Sequence, residues 1–438
     1  MSPLVIGILI GIATILVLAT GIPVAFGLAI VAMGFLVLFE GIFSLGFVGE
    51  LFFSGLADFT LVSIPMFIAM GAAVASSPAG SDLYGALDRW LSRVPAGLAI
   101  ANIGACSIFA ALSGSSPATC AAIGKMGIPE MRKRGYPDGL ATGSIAAGGT
   151  LGILIPPSVT MIVYGIATGT SIGRLFIAGV LPGLMLTLMF IAWSVFYAAR
   201  NSSVPMGDRR TYSLREKLEL APRVLPFLLL IAGILYVLYG GVATPSEAAG
   251  VGAMMCFILV AVIYRMWRPR QIWGILKSST RESVMIMMII GAAALFSYML
   301  SSLFVTQSIA EWIAALEVNR WVLLGVINLF LLMAGFFLPP VAVIVMTAPI
   351  LLPLITQAGF DPYWFAVVLT INMEIGLITP PVGLNLYVIS SIAPDVGLPK
   401  ILAGAAPFAL LMMVSILLLC FFPQIATWLP DLLLGSGT

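Results

Sequence analysis

The sequence predicts an all-α polytopic membrane protein made of two inverted halves, each with five spans and one re-entrant hairpin. Three observations predict it. Of 438 residues, 61% are hydrophobic and only 9% are charged, which leaves too little polar surface to cover a soluble domain. The apolar pattern is interrupted by Pro156-Pro157 and again by Pro380-Pro381. Gly152 and Gly376 precede these breaks at the same offset (376 − 152 = 380 − 156 = 224). Two further segments, 97–124 and 321–356, carry an interruption in mid-run, and Pro117 and Pro340 within them lie 340 − 117 = 223 residues apart.

In chain order, apolar runs at 3–20 and 22–39 are split by Gly21 and Pro23. No Lys or Arg precedes Arg89, so the first run lacks a basic leader and reads as a retained span. Residues 40–58 hold Glu40, Glu50 and Asp58 with no basic residue, a third span covers 59–77, and Asp82–Arg93 is amphipathic. Segment 97–124 is apolar at both ends, but its middle reads Ser113-Gly114-Ser115-Ser116-Pro117. Arg93 on one side and Lys125, Arg132, Lys133 and Arg134 on the other place both ends in the cytoplasm, so the segment enters and returns. A polar contact between straight helices is the competing reading. Residues 137–170 form the first broken helix, and a span runs from Arg174 to Arg200. The loop 200–223, with Arg200, Arg209, Arg210, Arg215, Lys217 and Arg223, divides the chain into halves 1–210 and 211–438.

The second half opens with spans at 224–241 and 246–264. Between them Thr244-Pro245-Ser246-Glu247 reads as a helix start, Glu247 reaching back to the cap. A basic stretch (265–281), a span to 304, the hairpin 321–356 flanked by Glu317 and Asp361, the broken helix 362–390 and a last span at 401–423 complete it. An odd number of crossings per half inverts the second copy, puts both termini in the periplasm and gathers Lys and Arg in the cytoplasm, Arg174 and Arg320 excepted. Inverted repeats with discontinuous helices point to a secondary transporter.

Catalysis finds no support. The chain has no His, and Cys106, Cys120, Cys256 and Cys420 sit in apolar segments without metal-ligand spacing. Broken helices offer other chemistry. Two consecutive prolines remove backbone donors, and hydrocarbon tolerates the freed groups only where they line a cavity. Carbonyl ends suit a hard cation and amide ends an anion. A first Na+ site is therefore expected from Ser113 and Ser116 with Gly152, Ile155 and Pro156. A second is expected from Gly335, Gly376, Thr379 and Val382, with Thr379 supplying the one side-chain hydroxyl. Half-helices starting just after Pro157 and Pro381 would hold a carboxylate together with Ser115, Ser116, Ser158 and Asn385. Glu374 is either a ligand contact or a buried packing acid. Asn102 and Asn372 read as helix–helix hydrogen bonds. Na+ is the expected coupling ion, with no other cofactor.

Five stretches carry a family resemblance: Ser113–Thr119, Gly148–Pro157, Thr244–Ala249, Ala348–Pro353 and Gly376–Asn385. In them the chain resembles the DctM-like large permease subunit of TRAP (tripartite ATP-independent periplasmic) transporters, a family named for C4-dicarboxylate uptake. The resemblance implies an elevator-type symporter of the bacterial inner membrane, coupled to sodium and carrying a dicarboxylate or other organic acid. It implies a small four-helix membrane subunit (DctQ-like), expected here as a separate chain, and a periplasmic substrate-binding protein (DctP-like) as partners, with no nucleic acid. A stand-alone ion or anion exchanger, or a channel of related architecture, is the competing function.

Overall fold

The computed structural model describes residues 1–201, 212–315 and 318–435, and no strand occurs among the described residues. The expected boundary at 210/211, with Arg209, Arg210 and Glu317, lies outside them. The first half contains α1 (Pro3–Ala19), α2 (Val24–Glu40), α3 (Val48–Leu56), α4 (Ser63–Ala75), α5 (Ala79–Leu91), α6 (Gly97–Ser113), α7 (Ser116–Lys133), α8 (Asp138–Leu154), α9 (Val159–Thr168) and α10 (Ile172–Arg200). The short α11 (Leu214–Leu218) leads to α12 (Ala221–Tyr239), α13 (Pro245–Tyr264), α14 (Pro269–Ser302), α15 (Val305–Ala315), α16 (Arg320–Gly335), α17 (Pro340–Gln357), α18 (Pro362–Leu377), α19 (Leu384–Ile392), α20 (Leu398–Phe421) and α21 (Gln424–Leu434). The same order of elements thus occurs twice: a hairpin (α6–α7, then α16–α17) followed by an interrupted helix (α8–α9, then α18–α19).

Among the described residues seven helices are long and apolar enough to cross a bilayer, or eight if the bent pair 42–56 and 59–75 is one span. Ten crossings were expected. α1 and α2 are apolar but only 17 residues long, slightly under the ~20 residues that a 30 Å hydrocarbon core asks of a helix along its normal. α17, expected within a hairpin, is itself counted among the seven.

Several expected boundaries move. Residues 40–58, left without an element, are helical over Ile42–Phe47 and Val48–Leu56. They meet α4 at a 62° bend where Asp58 caps the turn through Thr60 N (2.8 Å). The basic stretch 265–281 is not a separate loop beyond Arg268: α14 starts at Pro269 and runs unbroken for 34 residues. The last span is followed by α21, which the sequence reading did not separate. At Thr244 the reciprocal cap forms as expected. Thr244 N donates to Glu247 Oε2 (2.8 Å), and Glu247 N donates to Thr244 Oγ1 (3.3 Å).

The two halves interlock. α8 and α18, the leading arms of the two interrupted helices, are the most buried elements, with every residue from Leu140 to Leu154 and from Trp364 to Leu377 buried. α8 packs against α6, α7, α10 and α20, and α18 against α10, α16 and α20. Small residues let α8 in so closely: a Cβ on Gly143 would strike the Gly404 carbonyl, and one on Gly404 the Gly139 carbonyl. In a lipid environment, where apolar burial alone does not favour association, such backbone approach and its dispersion contacts hold helices together. Around this bundle, helices of one half lie on helices of the other: α4 on α13, α2 against α14, α5 against α12. Asn102 and Asn372 serve as expected. Asn102 Nδ2 donates to Ser144 Oγ (3.1 Å), and Asn372 Nδ2 donates to Asn328 Oδ1 and to Val368 O.

One ion-pair cluster ties distant segments at the outer edge of the bundle. Arg132, near the end of α7, holds Asp138 at the start of α8 (2.9 Å) and Asp395 between α19 and α20 (2.5 Å), and Lys400 lies 3.9 Å from Asp138. The hydrogen bond from Arg132 keeps the Asp395 carboxyl below the usual carboxylate range.

Candidate functional site

Each hairpin tip meets an interrupted helix of its own half through backbone. In the first half α6 ends at Ser113, Gly114 turns with φ +56°, and α7 begins at Ser116 with Pro117 in its first turn, where a missing N–H costs nothing. Against this tip lies Gly152. A Cβ there would come within 2.8 Å of the Ser115 carbonyl and 3.0 Å of the Ser116 nitrogen. In the second half α16 ends at Gly335 and α17 begins at Pro340. A Cβ on Gly376 would collide with the Gly335 carbonyl. Both junctions therefore require glycine for close approach, at the helix ends where carbonyls lack intrahelical partners. Both Pro-Pro bonds, Pro156-Pro157 and Pro380-Pro381, are cis.

The residues expected to bind the first cation are brought together only in part. The Ser113 hydroxyl lies 2.7 Å from Thr119 Oγ1 and 3.4 Å from the Ser115 carbonyl, the group that Gly152 approaches, while among the described residues no hydrogen bond joins Ser113 to Ile155 or Pro156 at the end of α8. The Ser116 hydroxyl turns away. It donates to Glu374 Oε2 (3.1 Å) and accepts from Asn385 Nδ2 (2.8 Å), so it links the first tip to both arms of the second interrupted helix. Thr119, fully buried beside Ser113, closes the stretch Ser113–Thr119 but was not among the expected ligands; its spacing one helical turn beyond Ser115 was the available signal. In the second set Gly335 touches Gly376. The Thr379 hydroxyl donates to Ile375 O (2.6 Å), keeping lone pairs free, and Val382 is exposed.

Between the tips lies a cavity of about 200 Å³. Four helix starts border it: Ser116 to Ala118 of α7, Val159 and Thr160 of α9, Pro340 and Val341 of α17, and Leu384 of α19. Each helix N-terminus carries about half a positive elementary charge. Apolar side chains of α4 and α14, among them Ile68 and Ile286, close the rest, so the site is greasy with amide-rich edges.

Of the residues expected around an anion, Ser115 and Ser116 line this cavity. The others stand outside its walls. Ser158 is the buried cap of α9, accepting from Met161 N (3.3 Å). Asn385 and Glu374 are buried in the link to Ser116, each with one oxygen (Oδ1 and Oε1) lacking a protein partner. Pro381 is exposed. The half-helices do not start directly after Pro157 and Pro381. α9 begins at Val159 behind the Ser158 cap, and α19 only at Leu384, behind Gly383 with φ +55°. Pro117 and Pro340 do open helices here, in the second arms of the hairpins, as Pro362 does for α18. Among the described residues no group of His, Cys, Asp and Glu could hold a transition metal, and the four cysteines are free.

An all-helical chain with many bilayer-length helices, its hairpin tips and helix breaks gathered on one internal cavity, belongs to the class of polytopic membrane transporters. In fold the chain resembles the MtrF protein of Neisseria gonorrhoeae, with TM-score 0.61 at 14% identity, over 92% of this chain and 86% of that one. The family model for the DctM component of tripartite ATP-independent periplasmic transporters matches residues 11–425, and the chain belongs to that family. It is 40% identical over 375 residues to the C4-dicarboxylate TRAP transporter large permease protein DctM of Pseudomonas aeruginosa, covering 85% of this chain and 86% of that one. It is 32% identical over 422 residues to the ectoine/5-hydroxyectoine TRAP transporter large permease protein UehC of Ruegeria pomeroyi, covering 95% and 97%.

Proposed function

We propose that this chain is the sodium-coupled large permease of a tripartite importer for a small organic acid, a dicarboxylate or another carboxylate, in the bacterial inner membrane. Both termini face the periplasm in this reading. A periplasmic binding protein delivers the substrate, and a small four-helix subunit supports the permease laterally. The two halves are inverted repeats, and the hairpins with their interrupted helices move as one body against the surrounding helices. The observation that carries the reading is the duplicated junction of hairpin tip and helix break, Ser115 on Gly152 and Gly335 on Gly376, around one cavity. Backbone carbonyls at those junctions suit a small hard cation, and the amide starts beside them suit a carboxylate. Holding both in one place is what couples their movements.

The test is uptake by proteoliposomes containing this chain, with and without the small subunit, the binding protein and an inward sodium gradient. Accumulation of a radiolabelled carboxylate should need all three. Flux that persists without the gradient and without either partner protein would instead make the chain a stand-alone exchanger or channel.

A further inference from the structure

The cavity carries one feature that the proposed function leaves unused. Glu282, on α14, is the single charged side chain in its lining, and no Lys or Arg lines it. Glu282 is exposed and has neither a hydrogen bond nor an ion pair among the described residues. Its helical neighbours on the same face, Ser278, Ser279, Met285 and Ile286, offer no counter-charge. The position is also distinctive within the duplicated chain. Counting back by the offset of the Pro-Pro breaks (282 − 224 = 58) gives Asp58, whose carboxylate is occupied in capping the bend before α4. Where α14 runs unbroken, the corresponding acid has no backbone turn to cap and lines the cavity instead.

The cavity is therefore polarised. Four helix starts supply partial positive charge from the hairpins and breaks, while α14 supplies a full negative charge with apolar flanks. A ligand with one carboxylate satisfies the helix starts. A second carboxylate turned toward α14 would meet Glu282 with no cation to offset it, and like charges in a partly dry site repel strongly. A positively charged group at that end would be attracted instead.

Resting on the proposed function, we infer that the substrate is a zwitterion: a carboxylate carrying an ammonium-type group across a short apolar body, with Glu282 as the residue selecting it over a dicarboxylate. Glu282 contacts ligand in this scheme and is not expected to bind sodium.

The experiment measures thermal stabilisation of the purified chain with its small subunit, titrating glycine betaine and succinate separately in sodium and in choline buffer. Wild type should be stabilised by betaine in sodium and not by succinate. Glu282→Gln should fold with an unchanged ligand-free midpoint, need about tenfold more betaine for half-saturation, a loss of ~1.4 kcal/mol, and gain a response to succinate. Glu282→Asp should keep the wild-type preference. Equal stabilisation of wild type by both probes overturns the inference, as do an unaltered betaine response in Glu282→Gln and a wild type that answers to neither probe. Failure of the underlying reading looks different: sodium then makes no difference to the midpoint or to any ligand response.

Discussion

The two tip-and-break junctions share a plan and differ in what surrounds them. In the first, Pro156, Pro157 and Ser158 are buried, and the tip is rich in hydroxyls, with Ser113 bonded to Thr119. In the second, Pro380, Pro381 and Val382 are exposed, the tip reads Phe336-Phe337-Leu338, and the only hydroxyl is that of Thr379. The first junction is a packed core in which side chains fix the backbone. The second is a backbone contact with a loose rim. The close approach of peptide groups recurs at both junctions, while the means of holding them differ.

Substitutions at the two glycines should break the comparison most sharply. Gly152→Ala forces a Cβ onto Ser115 and Ser116 backbone that buried neighbours hold in place, an overpacking cost of about 1–3 kcal/mol. Uptake should fall by about two orders of magnitude and the melting midpoint with it. Gly376→Ala pushes on Gly335, but the exposed break beyond it can yield, so its loss of uptake should be nearer tenfold. Equal losses would mean that the surroundings do not matter.

Ser116→Ala comes next. It leaves Glu374 Oε2 and Asn385 Nδ2 without their shared hydroxyl in a fully buried place, costing roughly 1–3 kcal/mol. Chemical denaturation should register that loss. Ser115→Ala, at the partly exposed neighbour, should leave stability nearly unchanged.

Thr379→Ala removes the one hydroxyl of the second junction. Its bond to Ile375 O is local, so the stability change should stay within about 0.5–1.5 kcal/mol. Sodium activation of uptake should move several-fold further than folding does. An unchanged sodium dependence would count against Thr379 as a ligand.

The smallest effect is expected at Asp395→Asn, which removes one partner of Arg132 on the exposed rim. Because the folded carboxyl is held below its ordinary value, its contribution is present above the unfolded value of about 4 and is lost as pH falls through the folded one. Wild type and variant should differ slightly at neutral pH and converge in acid. A difference that grew below pH 4 would reverse the sign assigned here.

The helical class and the interruptions at the four proline sites were legible because prolines and glycines act locally. Wherever Pro117, Pro157, Pro340 or Pro381 falls, an uninterrupted helix is disfavoured, whatever packs around it. The edges were less legible. Pro157 and Pro381 suggested helix starts, yet tertiary packing moved those starts to Val159 and Leu384. Three-dimensional neighbourhood was not legible at all. Ser116 reads as one more serine of a polar tip, and nothing in the run 113–119 announces that its hydroxyl meets Glu374 and Asn385 more than 250 residues away. Glu282 was hidden for another reason: beside Arg281 and Lys277 it looks like the end of a solvated basic stretch, and only the unbroken helix α14 carries it to the cavity.

That unbroken course has a mechanical corollary. A 34-residue helix measures about 51 Å, whereas the oily slab of a bilayer is nearer 30 Å deep. The surplus, some 20 Å, begins with Arg270 and includes Lys277, so it must emerge among lipid phosphates, like a mooring post driven through a deck. Cations there would resist being drawn inward, which holds that end of α14 at the headgroup level.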